Sequence, residues 1–318
     1  SLNPGIAKAK RRNTSNKITP PSTYFENLPL WNYEPHYFTS KLYNLEVRIA
    51  YYDLGNKEAK ETLVLPHGMS AWSYLYRRMI PPLINAGYRV ILFDQVGCGR
   101  SDKPAKEKDY TYERHVGWNI DLLINFLKIK DATIVLQDWG GLIGLRVVAE
   151  NPDLFDKLIL ANTVLPDGYS PISEGFMNWQ DASQTMPVMD PGRLIARNCE
   201  RVQVSDAMQD AYRAPFPDES YMAGARELPM MVPVSDQNPA IPANRSAWDV
   251  LENWNKPVLT AWNVDDRVLG EYNDVFINRI PGASGQPHKT YSPGGHFIQE
   301  DCGELVAADA VSWLRGLK

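Results

Sequence analysis

The sequence predicts an α/β protein with a mostly parallel central sheet flanked by helices. Two observations predict it. Short runs rich in Val, Ile and Leu recur, continuous rather than alternating, as in strands buried on both faces. Stretches with apolar residues at helical spacing separate them, which suits crossover connections between parallel strands.

Val47 to Asp53 and Glu61 to Leu65 are expected as early strands. Arg89 to Phe93, Thr133 to Leu136, Lys157 to Ala161 and Val258 to Trp262 are the apolar runs, and His288 to Tyr291 adds a last strand. Tyr112 to Leu127 carries Trp118, Leu122, Leu123 and Phe126 at helical spacing. Leu142 to Glu150 is the helix after Leu136, and Val306 to Leu317 closes the chain. One segment breaks this rhythm. From Leu165 to about Ala243 no strand pattern occurs, and prolines punctuate it from Pro166 to Pro233. Helical fragments such as Ser205 to Ala214 and Ser220 to Glu227 fit between them. It reads as a helical cap inserted between the strand ending at Ala161 and the strand starting at Val258. That is the carboxyl edge of the sheet, where such folds bind ligands. The expected organisation is a basic arm over 1–31, a core over 32–164 and 244–318, and a cap over 165–243.

Composition bounds the function. The chain has 318 residues, 44% hydrophobic and 22% charged, which suits a folded soluble protein and excludes dominant disorder. No run of roughly 18 apolar residues exists, so no membrane helix is expected. A net charge of -5 argues against nucleic acid as a partner. Cys98, Cys199 and Cys302 are too few and scattered for a disulfide framework or a zinc site. A reducing, cytoplasmic compartment is the expectation. Lys8, Lys10, Arg11, Arg12 and Lys17 make the first residues basic, and a solvated tail is the simplest reading.

The strongest chemical signal is Gln137-Asp138-Trp139-Gly140-Gly141, entered by an apolar strand and left by a helix. This is the context of a nucleophile elbow, a sharp turn that lifts one side chain above the sheet. A carboxylate there attacks carbon and becomes an ester, which suits displacement at an sp3 carbon. The competing reading is a helix cap. Pro66-His67-Gly68-Met69 follows a strand and turns the chain so that the next N–H faces the nucleophile. His67 itself reads as a turn residue. Gly294-Gly295-His296 puts a histidine on a glycine-rich loop, as a general base requires. Asp265 and Asp266, after the strand at Trp262, each supply an acid to orient it. The order nucleophile, acid, histidine is that of α/β-hydrolases.

From about Asn32 onward the chain resembles the haloalkane dehalogenases. The resemblance rests on His67-Gly68 with Trp72 to Arg77, on Gly97 to Pro104, and on Tyr112 to His115. Gln137 to Gly141, Ala214 to Asp218 and Gly295 to Asp301 extend it. It implies the α/β-hydrolase fold and hydrolysis of haloalkanes to alcohol, halide and proton, with no cofactor and no metal. Asp138 is the implied nucleophile, His296 the base and Asp266 its orienting acid, since Asp266 directly precedes Arg267-Val268-Leu269-Gly270. Trp139 and Trp179 are the implied halide pair, and the N–H groups of Met69 and Trp139 the oxyanion hole. The implied partners are a small apolar halogenated substrate, a halide ion and water. One subfamily has an Asn after His-Gly and an acid near Asn162-Thr163, and this chain does not fit it. The subfamily with the Trp pair usually has Glu after His-Gly, where this chain has Met69. Two alternatives stand beside this reading. An epoxide hydrolase would use cap tyrosines, Tyr169, Tyr212 or Tyr221, as acids, and a non-catalytic binder would keep only the fold and pocket.

Overall fold

The computed structural model describes residues 17–317. Eight strands form the main sheet: β1 (His36–Ser40), β2 (Val47–Gly55), β3 (Thr62–Pro66), β4 (Arg89–Phe93), β5 (Ala132–Gln137), β6 (Phe155–Ala161), β7 (Val258–Asn263) and β8 (Lys289–Tyr291). Their spatial order is β8-β7-β6-β5-β3-β4-β2-β1. The strands from β4 to β8 pair in parallel, while β1 with β2 and β2 with β4 are antiparallel. Every residue of β3, β5 and β7 is buried, as their unbroken apolar runs require. β1 escapes sequence reasoning because His36 to Ser40 is an edge strand whose side chains are mostly exposed.

Helices α1 (Ile80–Asn85), α2 (Tyr112–Ile120), α3 (Trp139–Glu150), α8 (Ile241–Leu251), α9 (Asn273–Arg279), α10 (Ile298–Asp301) and α11 (Gly303–Gly316) accompany the sheet. The helix expected over Tyr112 to Leu127 is α2 continued by a π-helical stretch, Asp121–Phe126. α3 begins at Trp139, ahead of the Leu142 that opens its apolar pattern. Gly140 and Gly141 lie in its first turn because a Cβ there would meet the Pro66 carbonyl and the Thr163 side chain.

Between β6 and β7 lie α4 (Glu174–Thr185), α5 (Pro191–Arg197), α6 (Asp206–Arg213) and α7 (Ala223–Met231), with no strand among them. The boundary expected after Ala243 falls inside α8, whose packing on α3 joins it to the core. The boundary at Asn32 also shifts. Lys17–Ile18 pairs with Lys103–Pro104, and the buried Phe25 and Trp31 pack edge-on against Trp72, each ring 5.3 Å away. Residues 17–31 therefore belong to the folded body, and the basic cluster from Lys8 to Arg12 lies outside the described residues.

Candidate active site

β5 delivers the chain to Asp138, whose φ of 51° and ψ of -132° lie where a residue with a Cβ is strained. Such conformations cost on the order of 1–3 kcal/mol and persist only where surroundings impose them. Here Asp138 N donates to Asn162 O at 3.0 Å, while Asp138 O accepts from Gly141 N at 2.9 Å and Thr163 Oγ1 at 2.8 Å. The carboxylate makes no capping bond to α3. It accepts instead from Met69 N at 2.7 Å, from the Trp139 amide, and from His296 Nε2 at 2.8 Å. Gly68 is obligatory beside it, since a Cβ there would overlap the carboxylate.

His296 bridges two acids. Its Nδ1 lies 2.9 Å from Asp266 Oδ2, which also accepts from Asn162 Nδ2 at 3.0 Å. Asp266 Oδ1 accepts from Val268 N at 2.9 Å, so the acid cannot rotate without breaking bonds on both sides. Asp265 is exposed and, among the described residues, its carboxylate accepts only from Ser292 Oγ, at 2.6 Å. This arrangement sets the electrostatics. Burial alone would depress the His296 pKa, but the Asp266 charge and the bonds to both carboxylates push it up to about 10. Burial would raise Asp138 and Asp266, yet the facing imidazolium and their N–H donors hold both below the usual carboxylate value.

Trp139 and Trp179 come from different elements, the first from α3 and the second from α4. The Trp139 ring is buried, with Tyr112 edge-on at 5.0 Å, and its Nε1 has no hydrogen-bond partner among the described residues. Trp179 is half-buried and its Nε1 donates to Met69 Sδ at 2.8 Å. Ser173 fixes the start of α4. Its hydroxyl caps Phe176 N at 3.2 Å and donates to Val268 O at 2.6 Å, tying the helix to the Asp266 loop. Met69, Trp139, Leu165 and Phe176 share one apolar cluster, with Trp179 packed against it.

His67 is a turn residue. Its Nδ1 faces Gly68 O at 2.7 Å and its Nε2 accepts from Gln95 N at 2.9 Å, a neutral imidazole whose pKa burial lowers. Among the described residues no cap tyrosine hydrogen-bonds to Asp138 or His296. Tyr169 is 75% exposed, with the Arg245 guanidinium over its ring, and Tyr212 binds Glu300. Tyr221 packs in a separate cluster with Ile18, Met189 and Phe216, and its buried hydroxyl has no hydrogen-bond partner among the described residues.

Two supporting residues escape sequence reasoning. Asn162 holds Asp266, yet an Asn after a strand reads as an ordinary turn. Asp301 gathers backbone donors: Glu200 N at 2.9 Å, Arg201 N at 2.8 Å, Val202 N at 3.1 Å and Gly295 N at 2.6 Å. With His296 N bonded to Asn198 O at 3.0 Å, it pins the histidine loop to residues 198–202. The acidic pair in Glu300-Asp301 gives no sign of this in sequence.

Known proteins share this chain's fold and much of its sequence. A family model described as alpha/beta hydrolase fold matches residues 61–301. A haloalkane dehalogenase from Psychrobacter cryohalolentis is 46% identical over 92% of this chain and 96% of its own. One from Mycolicibacterium paratuberculosis is 42% identical over 93% of this chain and 98% of its own. Among solved structures, a tetrameric haloalkane dehalogenase from Paraglaciecola agarilytica matches with a TM-score of 0.86 at 33% identity. The match covers 93% of this chain and 98% of that one.

Proposed function

The chain belongs to the haloalkane dehalogenases of the α/β-hydrolase fold, and from that premise we propose which of its residues hydrolyse the carbon–halogen bond. Asp138 attacks the carbon in line with the halogen, and its carboxylate becomes an alkyl ester as the halide departs. The N–H groups of Trp139 and Trp179 receive the developing negative charge, which is stabilisation aimed at the transition state. Indole N–H groups donate and cannot accept, so they suit an anion.

Esterification then changes the base. The Asp138 carboxylate loses its charge, and with it goes part of what holds the His296 proton. The histidine releases that proton and, oriented by Asp266, takes one from a water that attacks the ester carbonyl carbon. The N–H groups of Met69 and Trp139, which bind the free carboxylate, hold the oxyanion. Collapse returns Asp138 and releases the alcohol, and the proton leaves through His296. The observation that carries this reading is His296 standing between Asp138 at 2.8 Å and Asp266 at 2.9 Å. Small apolar haloalkanes are the proposed substrates, because Met69 and Trp139, which bind the Asp138 carboxylate through their N–H groups, belong to a buried apolar cluster against which Trp179 packs. A reducing, cytoplasmic setting agrees with the unpaired Cys98, Cys199 and Cys302. Helices α4 to α7 are the proposed cap.

The test is His296→Phe. The first displacement should proceed and hydrolysis stop, leaving an alkyl group on the peptide that contains Asp138, visible by mass. Multiple turnover by this variant would remove His296 from the role of base.

A further inference from the structure

Met69 stands where the sequences this chain resembles usually carry a glutamate, and its side chain enters the site as well as its backbone. The main-chain N–H is engaged by Asp138, which anchors the residue. The sulfur accepts the Trp179 Nε1–H at 2.8 Å, while Trp139 Nε1, buried in the cluster against which Trp179 packs, has no partner among the described residues. The two indoles are therefore unequal before substrate enters. One N–H is bare and the other already has an acceptor.

A thioether is a weak, neutral acceptor, and a halide is a charged one. A halide forming between the indoles can displace the sulfur, but only by breaking the bond already there. Methionine suits that exchange. Its side chain has three rotatable bonds, so the sulfur can swing away while Asp138 holds the backbone N–H in place. A carboxylate at the same position would hold the indole far more tightly, and an alkyl side chain would leave the half-buried N–H without an acceptor.

We propose that Met69 is a specificity-determining residue whose thioether occupies the Trp179 N–H in the empty site, yields it to the departing halide, and reclaims it when the halide leaves. This rests on Trp179 being a halide donor. The exchange lowers halide affinity and speeds product release. It also leaves Trp139 as the donor that acts without competition.

The test is a cycle of four proteins, wild type, Met69→Leu, Trp179→Phe and the double variant, with bromide inhibition of 1-bromobutane hydrolysis as the readout. Met→Leu conserves volume, so the fold should survive, and the main-chain N–H is unchanged. Met69→Leu should bind bromide about three- to tenfold more tightly, the scale of one neutral hydrogen bond. Trp179→Phe should bind it about ten- to a hundredfold more weakly. In the double variant the gain from Met69→Leu should vanish. If Trp179→Phe weakens bromide binding while Met69→Leu does not tighten it, the role of Met69 is wrong and the halide pair stands. If the gain persists in the double variant, the sulfur acts elsewhere and the proposal fails. If Trp179→Phe binds bromide like wild type, the halide assignment itself fails.

Discussion

Asp266→Asn keeps the shape of the acid and removes its charge. Asp266 accepts on both oxygens, from His296 and Asn162 on one and from Val268 N on the other. An amide has one oxygen, so whichever way it turns, an NH2 faces an N–H. With the NH2 toward His296, the imidazole must present a lone pair at Nδ1 and carry its proton on Nε2, the nitrogen proposed to take a proton from water. With the NH2 toward Val268, the histidine keeps its tautomer but the loop loses a bond, and the charge that stabilises imidazolium is gone either way. Losing an orienting acid lowers rates about 10³- to 10⁴-fold in Ser-His-Asp enzymes, or about 4–5.5 kcal/mol of transition-state stabilisation. Asp265→Asn removes one exposed contact to Ser292 and should fall within about 0.5 kcal/mol of wild type, roughly twofold in rate. Rapid-quench measurements with 1-bromobutane separate ester formation from ester hydrolysis. Hydrolysis should carry the loss in Asp266→Asn, with alkylated Asp138 accumulating. Normal hydrolysis in Asp266→Asn, or a crippled Asp265→Asn, would refute the assignment of the acid.

Three further outcomes are expected. Gly68→Ala should abolish ester formation, because the new methyl overlaps the Asp138 carboxylate, and single-turnover halide release reads it directly. His296 gains proton affinity on folding, from an ordinary value near 6.5 to about 10, so its contribution to stability is complete below pH 6.5 and is lost as pH rises through 10. Asp138 and Asp266 shift downward, so theirs is present above the ordinary carboxylate value and lost as pH falls below it. Urea midpoints measured across the neutral-to-alkaline range should show the decline, and the difference between wild type and His296→Phe isolates that residue. Arg77→Met removes the guanidinium that binds the fully buried Glu300 carboxylate through Nη2 at 3.0 Å, leaving it the Tyr212 hydroxyl and Arg78 Nε at 3.7 Å. The cost should be at most about 3–5 kcal/mol, the range for a buried charge left with no partner, seen as a lower urea midpoint.

The parts legible in sequence are those with a local signature. A glycine pair between an apolar strand and a helix announces the elbow at Asp138, and a histidine after Gly294-Gly295 announces a loop with a chemical task. The choice between Asp265 and Asp266 rests on resemblance, because adjacent aspartates are identical in pattern and differ only in which way the chain turns. Trp179 is identified on the same ground. The hidden parts depend on contacts between distant segments. Asn162 touches Asp266 across 104 residues, and the Met69 sulfur meets Trp179 across 110. No periodicity encodes such meetings. Phe25 and Trp31 read as part of a tail because the basic residues before them dominate the composition, yet their rings complete the packing around Trp72.

Asp301 has a consequence for how this enzyme can diverge. Its carboxylate joins the backbone of residues 200–202 to Gly295, while Ser173 joins the other side of the same insertion to Val268. The segment between β6 and β7 is thus stitched at two points to the loops that carry His296 and Asp266. Recombination cannot treat that segment as an exchangeable module. A donor segment whose backbone does not turn the three amides of 200–202 toward Asp301 should arrive with a displaced histidine. Variants that place proline at 200–202, or change the length of that stretch, should therefore alkylate and fail to turn over, whereas other side-chain changes there keep the amides that Asp301 binds.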